Sequence, residues 1–133
     1  MKLFLGEYDH VLDDRGRITL PRKIRQELSG ETVVLSRGFD QCIFGFDRER
    51  WEKEAERHLA GNLTDPKSRE IRRYLFSAAE NVEIDRLGRI LLPAQLKELA
   101  LIQKDIVVVG AGDHFEIWEK SLWDGQKTAH ISS

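Results

Sequence analysis

Apolar and polar positions change period several times along this chain, and each change marks an element. Leu3 to Leu12 mixes apolar and polar positions without a helical period, which predicts one or two strands bent near Gly6. Arg17-Ile18-Thr19-Leu20 alternates polar and apolar, the mark of a half-buried strand. Pro21 ends that strand and presets φ for a helical turn. Ile24 and Leu28, four residues apart, give the short helix an inner face until Ser29-Gly30 stops it. Val33-Val34-Leu35 and the run from Cys42 to Phe46 read as strands joined by a turn over Arg37 to Asp40. Asp47 is placed to cap a helix over about residues 48 to 60, with Trp51, Ala55 and Leu59 on one face. After a loop from Gly61 to Pro66, the residues Ile71, Tyr74, Leu75, Ala78 and Ala79 follow the helical repeat and predict a second amphipathic helix.

The pattern then starts again. Val82 and Ile84 lead into Asp85, a turn at Gly88, a strand from Arg89 to Leu92, and a short helix opened by Pro93 with Leu96 and Leu99 inward. Ile106 to Val109 and Phe115 to Trp118 are the closing strands, around Gly110 and Gly112. The segment D-D-R-G-R-I-T-L-P from residue 13 returns as D-R-L-G-R-I-L-L-P from residue 85, so Asp13, Gly16, Arg17, Ile18, Leu20 and Pro21 recur at a spacing of 72. For the closing strands the best match of letters shifts to 74, pairing Val33 with Val107 and Ile43 with Ile117, which predicts a two-residue insertion before Ile106. Each half is thus strand, turn, strand, short helix, hairpin. One half is too small to build a stable core, so the two are expected to bury their faces against each other in one α+β unit with a pseudo-two-fold. The helices between them are expected to be packing elements with a solvated, salt-bridged face.

Length and composition narrow the class. A chain of 133 residues, 41% hydrophobic and 33% charged, is that of an ordinary globular protein. No apolar run approaches the length of a membrane span. The start M-K-L-F-L-G-E reaches Glu7 and Asp9 without a long apolar core, so a signal peptide is not expected and a cytoplasmic location is. Cys42 is the only cysteine and lies in an apolar run, as a buried inert thiol would. His10, His58, His114 and His130 are scattered, so neither metal nor cofactor is expected. Trp51, Trp118 and Trp123 stand apart from the basic residues and read as core or subunit contacts rather than base-stacking platforms.

Charge matters by its placement. The net charge is −2, yet residues 15 to 25 carry Arg15, Arg17, Arg22, Lys23 and Arg25 with no acidic residue. The second copy is thinner, with Arg86, Arg89 and Lys97, and it replaces Arg15 with Leu87 and Arg22-Lys23 with Ala94-Gln95. Arginines on a turn and a helix start suit phosphate contact, through a fixed fork of donors and a permanent charge, and the first copy is expected to dominate. Asp13 and Arg17 flank their turn four residues apart, as do Asp85 and Arg89, so either arginine can serve its own aspartate instead. Two other classes stand beside nucleic-acid binding. An interaction module would use apolar surface, although the residues after Trp123 offer no acidic tail. An enzyme would need a nucleophile with its base, a phosphate loop or a metal set, and the sequence shows none of these.

The two D-x-x-x-R elements, Asp13/Arg17 and Asp85/Arg89 with Gly16 and Gly88 at their turns, resemble those of the MraZ family, and the likeness covers essentially the whole chain. That resemblance implies a double-split β-α-β fold of the AbrB/MazE swapped-hairpin kind, with both half-repeats in one chain and extra helices between and after them. It divides the chain into a half-repeat at 1–50, intervening helices at 51–80, a second half-repeat at 81–124 and a tail at 125–133. It also implies a cytoplasmic, nucleoid-associated bacterial transcriptional regulator rather than an enzyme. Such a protein would form a ring-shaped homo-oligomer on tandem repeats in double-stranded DNA, upstream of the division and cell-wall gene cluster that contains its own gene. Arg15, Arg17, Arg22, Lys23, Arg86 and Arg89 are the residues expected at the DNA. The alternative is an antitoxin-like or scaffold protein-interaction module without DNA readout.

Overall fold

The computed structural model describes residues 2–132, with side chains through Thr128, so the side chain of His130 lies outside the described residues. The first half comprises β1 (Glu7–Val11), β2 (Arg17–Thr19), α1 (Arg22–Arg25), β3 (Thr32–Arg37), β4 (Ile43–Phe46) and α2 (Arg48–Leu59). Helix α3 (Pro66–Phe76) follows. The second half comprises β5 (Glu80–Glu83), β6 (Arg89–Leu91), α4 (Ala94–Leu99), β7 (Asp105–Gly110), β8 (Phe115–Glu119) and α5 (Lys120–Ser132).

The strands form a six-stranded sheet in the order β1-β7-β8-β4-β3-β5 and a separate ribbon of β2 with β6. Every pairing is antiparallel. Each half contributes one hairpin to the sheet, β3-β4 or β7-β8, and sends its first strand across: β1 pairs with β7, and β5 pairs with β3. The chain therefore has the pseudo-two-fold, double-split β-α-β architecture of two interlocked half-repeats. The pseudo-axis passes through two central pairs, Ile18 opposite Ile90 in the ribbon and Phe44 opposite Glu116 in the sheet.

Alternation decides the layers. In β3, Val33 and Leu35 point to one face while Val34 and Ser36 point to the other, and all four are buried, so this strand is covered on both sides. On the first face Val33, Leu35, Ile43, Ile106, Val108, Phe115 and Ile117 meet Ile18, Leu20, Ile24, Ile90, Leu92 and Leu96 from the ribbon and short helices. Helices α2 and α3 cover the opposite face at β3, and α5 covers it at β7 and β8. Among the described residues no helix is long and apolar enough to cross a membrane.

The structure corrects several details of the sequence reading. Thr32 opens β3 and Asp105 opens β7, a spacing of 73, while Ile43 and Phe115 open β4 and β8, a spacing of 72. The second half thus has one extra residue before its hairpin and one fewer inside it, rather than a two-residue insertion. A slip of two leaves every side chain on the same face of a strand, so the letters of β4 and β8 matched well in the wrong register. The repeat also runs further than its motif suggests. Arg48 opens α2 and Lys120 opens α5, again 72 apart, and Phe46 against Trp51 (ring centroids 5.4 Å) has its counterpart in Trp118 against Trp123 (5.6 Å). Residues 125–132 accordingly continue α5 instead of trailing as a tail.

The helices are less embedded than their periodicity implied. Helix α1 is a single turn, and Leu28 packs on the core from beyond it. Leu59 is 50% exposed and Ile71 39%, because α2 and α3 lie on the outer layer, against the sheet with only part of each face. Asp47 occupies the N-cap position of α2 without capping it. Its buried carboxylate accepts instead from the Ser29 N–H (2.8 Å), the Ser29 hydroxyl (2.7 Å) and Lys2 Nζ (3.4 Å), tying the end of the α1 segment to β4. Cys42 is buried, and desolvation pushes its thiol far above the ordinary range, which makes it unreactive.

Two tests follow from this packing. A Cβ at Gly45 would lie 2.3 Å from Phe115 Cζ in the neighbouring strand. Gly45→Ala is expected to lower unfolding free energy by about 1–3 kcal/mol through overpacking, read from urea denaturation. His114 is clamped by Asp113 at Nδ1 (2.7 Å) and Glu116 at Nε2 (2.8 Å) beneath the Phe44 ring. Burial alone would lower its pKa, but the two carboxylates outweigh burial and raise it above 6.5. A raised folded value means stability present in full below about pH 6.5 and lost as pH rises through the folded pKa. Wild type is expected to weaken between about pH 6.5 and alkaline pH more than His114→Gln does in matched urea titrations.

Candidate nucleic-acid interface

Two turns bracket the ribbon, and one carboxylate builds each. Asp13 Oδ1 accepts the backbone N–H of Arg15 (2.9 Å) and of Arg17 (2.8 Å), while Oδ2 accepts Arg17 Nε (2.9 Å). Asp85 repeats this with Leu87 N–H (2.9 Å), Arg89 N–H (2.9 Å) and Arg89 Nε (2.8 Å). Gly16 and Gly88 follow with φ of +81° and +79°, a region where other residues are strained, and their N–H groups bond back to the carbonyls of Asp13 and Asp85. Hydrogen bonds from the Arg17 and Arg89 backbone lead the effects that hold the two carboxyls below their ordinary value.

Sequence left open whether Arg17 and Arg89 serve their aspartates or face outward. Geometry gives them the first role and leaves room for the second. Each meets its aspartate through Nε, and among the described contacts their terminal Nη groups have no hydrogen-bonding partner.

Ile18 and Ile90 point into the core, so their strand neighbours Arg17, Thr19, Arg89 and Leu91 share the outward face of the ribbon. Arg17 stands opposite Leu91 and Thr19 opposite Arg89. At the ends of the ribbon Arg15 and Arg86 are exposed on the turns, and Arg22, Lys23 and Arg25 are exposed on α1. None of these five forms an ion pair among the described residues.

The basic run of the first copy does not stay together. Strand β2 runs from its own turn toward the other one, and the Leu20 N–H bonds to the Gly88 carbonyl (2.9 Å) just before α1 begins. Arg25 then lies over the second turn, where a Cβ at Gly88 would sit 2.6 Å from its Nη1. Arg25, Asp85 and Arg86 line one depression of about 410 Å³. Lys97 of α4 lies over Gly16 in the same way, with Nζ 3.0 Å from a Cβ built there. One end therefore gathers Arg15, Arg17 and Lys97, and the other gathers Arg86, Arg89 and Arg25 with Arg22 and Lys23 at the start of the adjoining helix. The cations thus sit at two composite ends, each made from the turn of one half and the helix of the other. Arg25 and Lys97 joined the site this way, although the sequence could place them only beside their own turns.

Known proteins match this sequence over nearly its whole length. The family model described as "MraZ protein, putative antitoxin-like" matches residues 3–74 and again 75–132, one match per half. The chain belongs to the MraZ family. It is 42% identical over 127 residues to the transcriptional regulator MraZ of Roseiflexus castenholzii, covering 96% of this chain and 88% of that protein. The proteins of the same name from Heliobacterium modesticaldum and Limosilactobacillus fermentum are 40% identical over 121 residues and 37% over 130. They cover 91% and 98% of this chain and 84% and 90% of their own lengths. These relatives are named as transcriptional regulators. Among the described residues no group of three or more His, Cys, Asp or Glu side chains is arranged to hold a metal ion.

The turns can be tested by amide exchange. Asp13→Ala is expected to speed exchange at Arg15 and Arg17 while leaving Leu87 and Arg89 protected, as read by nuclear magnetic resonance. Because both carboxyl pKa values are depressed, the carboxylate contribution is complete above the usual carboxyl value near 3.8 and is lost as pH falls through the folded value.

Proposed function

We propose that this chain is a sequence-specific transcriptional regulator that lays the outward face of the β2–β6 ribbon on duplex DNA. The observation that carries the reading is the pair of carboxylate-locked turns, beside which Arg15, Arg22, Lys23, Arg25 and Arg86 are exposed and form no ion pair among the described residues. A protein that spends arginines on a preformed surface without neutralising them leaves that surface ready for a polyanion. Arg15, Arg86, Arg22 and Lys23 hold phosphates or groove edges at the two ends, and the Nη groups of Arg17 and Arg89 reach the DNA between them. Phosphate contacts set position and affinity, while base contacts set specificity. The half-repeats at 1–50 and 81–124 form the reader, and the helices at 51–80 and the α5 region serve as outer packing. Relatives named as transcriptional regulators support this use of the fold.

The working unit is a ring-shaped homo-oligomer, cytoplasmic and nucleoid-associated. It would sit on tandem repeats upstream of its own operon in the division and cell-wall gene cluster. One ribbon supplies few cations, and a ring that presents one ribbon per repeat raises affinity through effective concentration. Light scattering is expected to show a multiple of the 15.4 kDa chain, and a monomer at working concentration would remove the ring.

Fluorescence anisotropy with the DNA upstream of the gene, over a salt series, tests the reading. Binding should weaken linearly in the logarithm of salt, and Arg15→Ala and Arg86→Ala should each reduce that slope by about one phosphate contact. A probe with scrambled repeats should bind as weakly as random duplex. If a correctly assembled sample binds no DNA at low salt, the exposed cations serve a protein partner and the antitoxin-like reading takes its place.

A further inference from the structure

The two halves of the ribbon surface differ in kind. Along the first copy the outward row is Arg15, Arg17, Thr19; along the second it is Leu87, Arg89, Leu91. Leu87 is 66% exposed and Leu91 55%, while Ile90 and Leu92 beside them are buried almost completely. The fold does not require either leucine. Asp85 and Gly88 build the turn that carries Leu87 through backbone contacts, and Leu91 projects from the side of β6 opposite the core. Two large apolar side chains are thus held in water on either side of an arginine, on the surface that also carries the exposed Arg15, Arg86, Arg22, Lys23 and Arg25.

We propose that Leu87 and Leu91 are specificity-determining contacts to thymine methyl groups in the DNA major groove. This rests on the DNA-binding reading given above. A two-stranded antiparallel ribbon is one of the elements that the major groove admits. Within that groove thymine alone among the four bases presents an apolar group, its C5 methyl, and apolar side chains meet it directly. The flanking Arg86 and Arg89 and the nearby α1 cations supply the attraction that brings the apolar row down onto the bases. The first-copy row, with Arg15 and Arg17, offers donors to base acceptors or phosphates instead. One face of the protein then carries two chemistries in a fixed order, so a subunit would distinguish the two orientations of its site.

Replacing thymine by deoxyuridine removes the methyl group and nothing else, which makes it the direct test. The full-length protein is titrated by anisotropy against its upstream duplex and against the same duplex with repeat thymines replaced by deoxyuridine. Wild type is expected to bind the uracil duplex about fourfold more weakly for each methyl lost from a water-excluded contact. Leu87→Ala should bind the thymine duplex more weakly and lose the discrimination at the positions that Leu87 reads. Leu91→Ala should do the same at a different set of positions, and Leu87→Met should keep the preference. The salt slope should match that of wild type in all three, because no phosphate contact is removed. Equal wild-type affinity for the two duplexes would overturn the proposal while leaving DNA binding intact. So would discrimination unchanged in both alanine variants, and a change in their oligomer size with discrimination intact would assign the leucines to subunit contact. Failure of wild type to bind either duplex would overturn the DNA reading itself.

Discussion

The first strand of each half finds its hydrogen-bond partners in the other half, and the remaining features of the molecule are arranged around that exchange. Strand β1 without β7, or β5 without β3, would leave a row of backbone donors and acceptors to be satisfied by water alone at the edge of a buried sheet. Crossing also brings the two short strands that follow, β2 and β6, side by side on the pseudo-axis. The ribbon exists because the halves are interlocked. Its inward isoleucines complete the core, and its outward side is what remains for recognition.

A single carboxylate in each turn does three jobs at once. It gathers two backbone N–H groups, fixes the entry into the ribbon, and holds an arginine by one edge of its guanidinium. Pairing and outward contact are therefore compatible for Arg17 and Arg89. An ion pair on an exposed surface contributes little by itself. The backbone bonds carry the structural value, and they depend on aspartate at the first position and a glycine with positive φ at the fourth.

Much of the fold was legible because the repeat is written in residues with strict backbone demands. The Asp, Gly and Pro positions kept their spacing of 72, and the ribbon, short helices and strands follow from them. The closing strands were harder to register: the match for β8 slips by two, which costs nothing in pattern, and the match for β7 slips by one, which a run of valines hides. The likeness of α2 and α5 was present in Trp51 and Trp123 at the same spacing. The residues around them are mostly polar and share few letters, so this part of the repeat carries little pattern of its own. The composite ends could not be read at all. Chain order places Arg25 with Arg15, whereas antiparallel pairing carries it to the opposite turn.

Strand exchange also sets a timetable for the chain as it is made. Glu7 pairs with Val109 and Val11 with Asp105, so β1 leaves the ribosome about a hundred residues before its partner. At ordinary rates of synthesis that gap lasts roughly 5–20 s. During that interval the hairpin β3-β4 can form, but β1 and the inward face of β2 stay without their partners. No domain-sized piece can finish early, since each half supplies what the other lacks. Long-range pairing of this kind slows folding, and here it defers the native state until β7 and β8 have emerged. Premature termination after α3 would release a chain with its apolar strand faces uncovered rather than a working half.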